Sequence, residues 1–194
     1  MSQKGKTQET IVEAAFKLFA EHGMEKTSLS MIAAEVGITK PAIYYYFPSK
    51  EALIDFLFEE TFREYQFAHY FTLSAYTADN FAELLIANGL QMLPDEEEEE
   101  PVVLRVFHEF LLNVSRNEKY QQRINSMQEE FLDGFAALVA RGIELGVISP
   151  EGSESKAHML ALVIDNISNY MLMGIKRNYK SVWVTAVQSV LLPR

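Results

Sequence analysis

Residues 27–53 read TSLSMIAAEVGITKPAIYYYFPSKEAL, and the punctuation of that stretch organises what surrounds it. Ile32, Ala33 and Val36 suit the inner face of a short helix that Gly37 breaks, and either Thr27 or Ser28 can cap its start by accepting from an early backbone N–H. After Ile38, Thr39 is a second capping residue. Pro41 then falls in the first turn, where its missing N–H costs nothing, so the spacing predicts another helix from about Lys40 to Phe47. Pro48-Ser49 closes it, and Ser49 can cap a fourth. Upstream, Ile11, Ala15, Leu18 and Phe19 recur at helical spacing, widened by Val12 and Phe16, which predicts an amphipathic helix over 8–22 ended by Gly23. Three short helices with the turn Glu35-Val36-Gly37-Ile38 between the second and third have the spacing of a helix-turn-helix. Ala33 is small enough for a close crossing, Gly37 permits the tight turn, and Ile38, Ile43 and Phe47 fill the space beneath.

That arrangement leaves one face of the third helix free, carrying Thr39, Lys40, Ala42, Tyr44, Tyr45 and Tyr46, with Lys50 at its flank. Consecutive residues lie about 100° apart around a helix, so three adjacent tyrosines cannot all point at one partner and at least one should help to pack the unit. A tyrosine can donate to a phosphate oxygen and lay its ring against sugar or a thymine methyl, while lysine adds charge. No carboxylate occurs between Glu35 and Glu51. The chain as a whole has a net charge of −10, which by itself argues against a nucleic-acid partner, yet residues 1–50 carry six lysines against five glutamates. The acid is concentrated downstream, and a local patch can approach a phosphate backbone despite the total.

The segment from Thr27 to Leu53, following the Leu18-Phe19-Ala20-Glu21-His22-Gly23 close of the first helix, closely resembles the signature of the TetR/AcrR family of repressors. Its Ile-Ala, Val-Gly, Ile-Tyr-Tyr-Tyr-Phe and Ser-Lys-Glu elements occur together and in order, over about residues 8–55. The resemblance implies an all-α chain: a three-helix, homeodomain-like DNA-binding domain over 1–50, then a helical effector-binding and dimerisation domain over 51–194. It implies further that Thr39, Lys40, Pro41, Ala42, Tyr44 and Tyr46 face the major groove and its edges. Ser28 and Ser30 would meet the backbone, and Lys50 a phosphate. Pro41 and Ala42 offer apolar contact and no hydrogen bonds, so sequence preference could lean on DNA shape.

Beyond residue 50 the pattern stays helical. Leu53, Phe56, Leu57, Phe62, Tyr65 and Phe67 to Phe71 predict one helix reaching about residue 74, followed by helices near 78–92, 102–114 and 117–145 and a terminal pair at 154–176 and 181–192. Six consecutive acids between Pro94 and Pro101 read as a solvated connection. Leu160, Val163, Ile164, Ile167, Met171, Val182, Val187 and Leu191 give the terminal pair apolar faces, from which a four-helix dimer interface is expected. Phe62, Tyr65, Phe107, Phe110 and Phe131 are aromatics that either fill the core or line an effector cavity. His69, Asn113, Asn166, Asn169 and Tyr170 are the polar groups placed to orient a ligand there, packing and dimer hydrogen bonds being the alternative.

Composition narrows the other classes. With no cysteine there is no disulfide, thiolate metal site or cysteine nucleophile. No apolar run approaches the roughly 20 residues that cross a bilayer, and the polar opening lacks a secretory h-region, so a cytoplasmic protein without membrane contact is expected. His69, His108 and His158 fall on three different predicted helices without the spacing of a helical ligand pair, so no metal or cofactor is expected. A helical enzyme using His108 or His158 with Asp165, or a scaffold whose helix-turn-helix binds protein, are the competing readings. Neither has a motif behind it.

Overall fold

An amphipathic stripe starts the chain as α1 (Gln3–His22), which buries Ile11, Ala15, Leu18 and Phe19 and ends where Gly23 turns left-handed. The computed structural model describes residues 3–63, 65–93, 106, 117–173 and 175–193. Among them the regular elements are helical: α2 (Leu29–Val36), α3 (Lys40–Tyr46), α4 (Lys50–Arg63), α5 (Phe67–Tyr70), a 3-10 turn (Leu73–Ala75), α6 (Phe81–Gln91), α7 (Glu118–Glu144), α8 (Ser153–Leu172) and α9 (Tyr179–Val190). Two compact units hold them, Met1–Glu64 with Glu99–Tyr120, and Tyr65–Glu98 with Gln121–Arg194.

In the first unit, α1 packs on α2 and α2 on α3. α4 adds the buried Leu53, Leu57 and Phe58, and the Phe56 ring meets the edge of Phe47 at 5.5 Å. Thr27, left open as a cap by the sequence, is not one: it is buried, and its hydroxyl donates to the carbonyls of Leu18 and Gly23 at 3.1 and 3.0 Å. The Tyr120 ring stacks on Phe58 at 4.5 Å, and its hydroxyl donates to Asp55 Oδ1 at 2.7 Å.

The second unit is built around Trp183 of α9, fully buried, whose indole N–H donates to the Ile86 carbonyl at 3.1 Å. A Cβ at Gly89 would sit 2.2 Å from that ring, so α6 approaches α9 only because position 89 has no side chain. Phe81, Leu85, Phe135, Leu138, Leu160, Ile164 and Val187 complete the core. Tyr76 is buried there as well; burial pushes its phenol up to about 12, against an amide donation from Asn88 at 2.9 Å.

Two expectations need correction. The helix beginning at Lys50 does not reach residue 74: α4 ends at Arg63, Gln66 is extended, and a separate four-residue α5 follows. Phe67 is the cause, since its ring packs against Phe71, Phe131 and Phe135 at 4.7 to 5.7 Å and its N–H donates to Glu130 Oε1 at 3.1 Å. Those partners on α7 outbid a continuous helical ladder. The second correction concerns the terminal pair, where Leu160, Ile164, Ile167 and Val187 are buried within the subunit. Of the expected set Val182 is exposed and Val163, Met171 and Leu191 are half-buried, while Met159, Leu162 and Tyr170 are also exposed on the pair. Of the helix expected over 102–114 only Val106, helical and buried, is among the described residues.

Candidate nucleic-acid interface

The turn between α2 and α3 is set by four local devices. Ser28 Oγ accepts from the Met31 N–H at 3.3 Å and so caps α2. Gly37 takes φ +75° at the other end, where the Ile38 N–H returns to the Ala33 carbonyl at 2.9 Å. A side chain there would be held in the left-handed region, which costs about 1–2 kcal/mol. Thr39 Oγ1 accepts from the Ala42 N–H at 3.4 Å, and Pro41 occupies the first turn of α3. Ile43 and Phe47 then anchor α3 from below, 0% and 3% exposed.

Anchoring at those two positions presents the remainder outward. Thr39, Lys40 and Pro41 are exposed, as are Tyr44 and Tyr45 at 45% and 70%, whereas Ala42 and Tyr46 are half-buried. Tyr46 is the packing member of the three tyrosines, its ring meeting that of Tyr45 edge-on at 5.3 Å. Ser28 and Ser30 lie exposed at the start of α2. Lys50 is half-buried and its ammonium donates to the Glu25 carbonyl at 3.0 Å, so in this state it ties α4 to the turn after α1. Glu35, the last acid before α3 in the chain, is taken up by Lys17 at 2.6 Å. The outward surface of α3 is therefore phenol, hydroxyl and ammonium without a carboxylate of its own.

The residues expected to meet a ligand fall into three groups. Phe107, Phe110 and Asn113 lie outside the described residues, and of Phe62 only the helical backbone is described. Tyr65 and Phe131 come together, their rings stacked at 4.9 Å, with Tyr70 meeting Tyr65 at 6.1 Å. His69 is exposed on α5. Asn166 and Tyr170 lie elsewhere, on an open groove of about 1060 Å³ between α8 and α9 that Met159, Leu162 and Val182 also line. Asn169 is half-buried on α8. Among the described residues no group of three or more histidine or acidic side chains could hold a metal ion, and no described helix is long and apolar enough to cross a membrane.

Residues 11–56 match the family model for bacterial regulatory proteins, tetR family. Over those residues the chain is similar to the TetR family. An uncharacterized HTH-type transcriptional regulator of Bacillus subtilis (strain 168), YuxN, is 48% identical over 56 residues, 27% of this chain and 19% of YuxN, so the chain aligns with about a fifth of that relative's length. The fold match runs through both units. A TetR transcription regulator from Haloarcula marismortui covers 97% of this chain and 100% of its own at TM-score 0.72 and 19% identity. SmeT in complex with triclosan covers 97% and 92% at TM-score 0.69 and 18% identity; SmeT is the repressor of the Stenotrophomonas maltophilia multidrug efflux pump SmeDEF.

Two polar contacts lie between parts of the chain that the sequence did not connect. Asp55 on α4 accepts from the Tyr120 hydroxyl and pairs with Lys119 at 3.2 Å, joining α4 to residues far along the chain. Burial first, and then Asp55, push the Tyr120 phenol above its ordinary range. In the second unit, Gln128 Nε2 donates to Asp165 Oδ1 at 3.4 Å. A separation of 65 or 37 residues leaves no local pattern by which to find either pair.

Proposed function

We propose that this chain is a TetR-family regulator, a ligand-released repressor that binds a palindromic operator as a dimer, with residues 1–50 on the DNA and residues 51–194 sensing the effector and dimerising. The observation that carries the reading is the exposed, carboxylate-free face of α3, held by Ile43 and Phe47. A seven-residue helix with phenols, a threonine hydroxyl and an ammonium suits the major groove, where hydroxyls meet phosphate and ring edges meet thymine methyls. One such helix binds weakly. Two held about 34 Å apart by a two-fold axis bind as a unit.

Support for the dimer comes from the outward face of α8 and α9, where Met159, Leu162, Tyr170 and Val182 expose hydrocarbon that a second copy would cover. Support for effector sensing comes from the aromatic cluster of the second unit and from the small molecule in the SmeT complex. An effector need only bind the non-DNA-binding arrangement more tightly by a few kcal/mol to shift the population. In this scheme α4, which follows the DNA-binding helices directly, carries the change.

Selection of bound duplexes from a random pool, with the mass of the free protein measured by sedimentation at micromolar concentration, tests the reading. The expected result is an enriched palindrome and a dimer. A monomer that still binds a palindrome tightly, or a pool with no enrichment, contradicts it.

A further inference from the structure

Glu35 is the single carboxylate between Lys26 and Lys50, and it stands exposed on α2, just before the Gly37 turn. In a helix-turn-helix the helix ahead of the recognition helix crosses the phosphate backbone. α2 has eight residues, so at 1.5 Å per residue each of them lies within about 12 Å of Ser28 along the helix axis. That is close to the Debye length of about 10 Å at 0.1 M salt, and a bare Glu35 would therefore repel the phosphates that α2 approaches.

The fold does not leave it bare. Lys17 Nζ on α1 meets Glu35 Oε1 at 2.6 Å. Glu35, through that hydrogen bond and through its charge, and then Glu21 one turn further along α1 hold the Lys17 ammonium above its ordinary range. Stability is a poor reason for the pair. Its side chains remain 53% and 39% exposed, and exposed ion pairs add little because water screens them and two long side chains must be ordered. The buried Ile11, Ala15, Leu18 and Phe19 of α1 and Leu29, Ile32 and Ala33 of α2 already hold those helices. What the pair alters is charge: the ammonium cancels the one negative group between Lys26 and Lys50.

We propose that Lys17 is a positioning residue for DNA binding that does not itself touch DNA: it holds the Glu35 carboxylate against α1 and so screens it from the operator phosphates. The assignment rests on the reading of residues 1–50 as the DNA-binding part and gives α1 a role in it. A lysine seated on phosphate, a lysine that only braces two helices and a lysine that screens an acid respond differently when Glu35 is neutralised as well. Only the third becomes dispensable.

Fluorescence anisotropy of the selected operator with the full chain, at about 50 and about 300 mM salt, tests this on Lys17→Ala, Glu35→Gln and the two combined. Lys17→Ala should weaken binding about fivefold at the lower salt, the bare carboxylate counting once per subunit, and less than about twofold at the higher. Glu35→Gln should bind as tightly as the wild type or tighter, and the combined variant should return to within about twofold of wild type. Melting temperatures should stay within about 2 °C of one another, which shows that the variants are folded. An unchanged affinity in Lys17→Ala, a deficit that persists at the higher salt, a weaker Glu35→Gln, or a combined variant as weak as Lys17→Ala overturns the proposal; the last result would put Lys17 itself on a phosphate. Absence of specific DNA binding by the wild-type chain defeats the operator reading instead, so the two failures are separable.

Discussion

The outward faces of α3 and of the α8–α9 pair both hold large side chains in solvent, and they differ in what those side chains can do. On α3 the exposed groups are Tyr44 and Tyr45, beside Thr39 and Lys40; on the terminal pair they include Met159, Leu162 and Val182. Phenols and an ammonium form hydrogen bonds and ion pairs with phosphate and base edges. Thioether and branched hydrocarbon gain only by leaving water, which a second copy of the same face provides. Anchoring differs too. α3 buries Ile43 alone, whereas α8 buries Ala157, Leu160, Ala161, Ile164 and Ile167. A short helix pinned at one internal residue and at its C-cap presents a face to be read, and a long one pinned along its length can bear the load of an interface.

That contrast can be broken in four places, in order of effect. Trp183→Ala removes the centre of the second unit, where the ring is fully buried against Gly89. It should cost about 3–5 kcal/mol in urea unfolding. Leu162→Asp leaves the core alone, because that side chain is 58% exposed. If α8 is the dimer face, sedimentation should report a monomer and operator affinity should fall about 100-fold through lost avidity. Tyr44→Ala should leave both the dimer and the melting temperature unchanged while weakening operator binding about tenfold, the scale of one base contact. Ser28→Ala should be the mildest, lowering stability by about 1 kcal/mol through loss of the α2 cap, with the dimer intact. An unchanged dimer in Leu162→Asp, or a monomer in Tyr44→Ala, would reverse the assignment of the two faces.

The helix-turn-helix region was readable from sequence because each of its boundaries is settled within a few residues. Ser28, Gly37, Thr39 and Pro41 act on backbone groups one to four positions away, and Ser49 likewise accepts from the Ala52 N–H at 3.1 Å. The second half is decided at long range. The apolar period that runs through Phe56, Tyr65 and Phe71 gives no sign of the break after Arg63, which depends on α7 residues more than 60 positions away. On α8, Met159, Leu160, Leu162, Val163 and Ile164 make the helix apolar nearly all round, so periodicity alone could not tell inside from outside. Only the packed partners divide Leu160 and Ile164 from Leu162. The enzyme reading pairs Asp165 with His108 or His158, whereas its hydrogen-bond partner, Gln128, comes from another helix.

Photo-cross-linking from position 44 addresses the central claim most directly. With Tyr44 replaced by a benzoyl-phenylalanine probe and Leu162 probed in the same way for comparison, illumination on the selected operator should join position 44 to DNA and position 162 to a second protein chain. A cross-link to DNA from position 162 and none from position 44 would contradict the account.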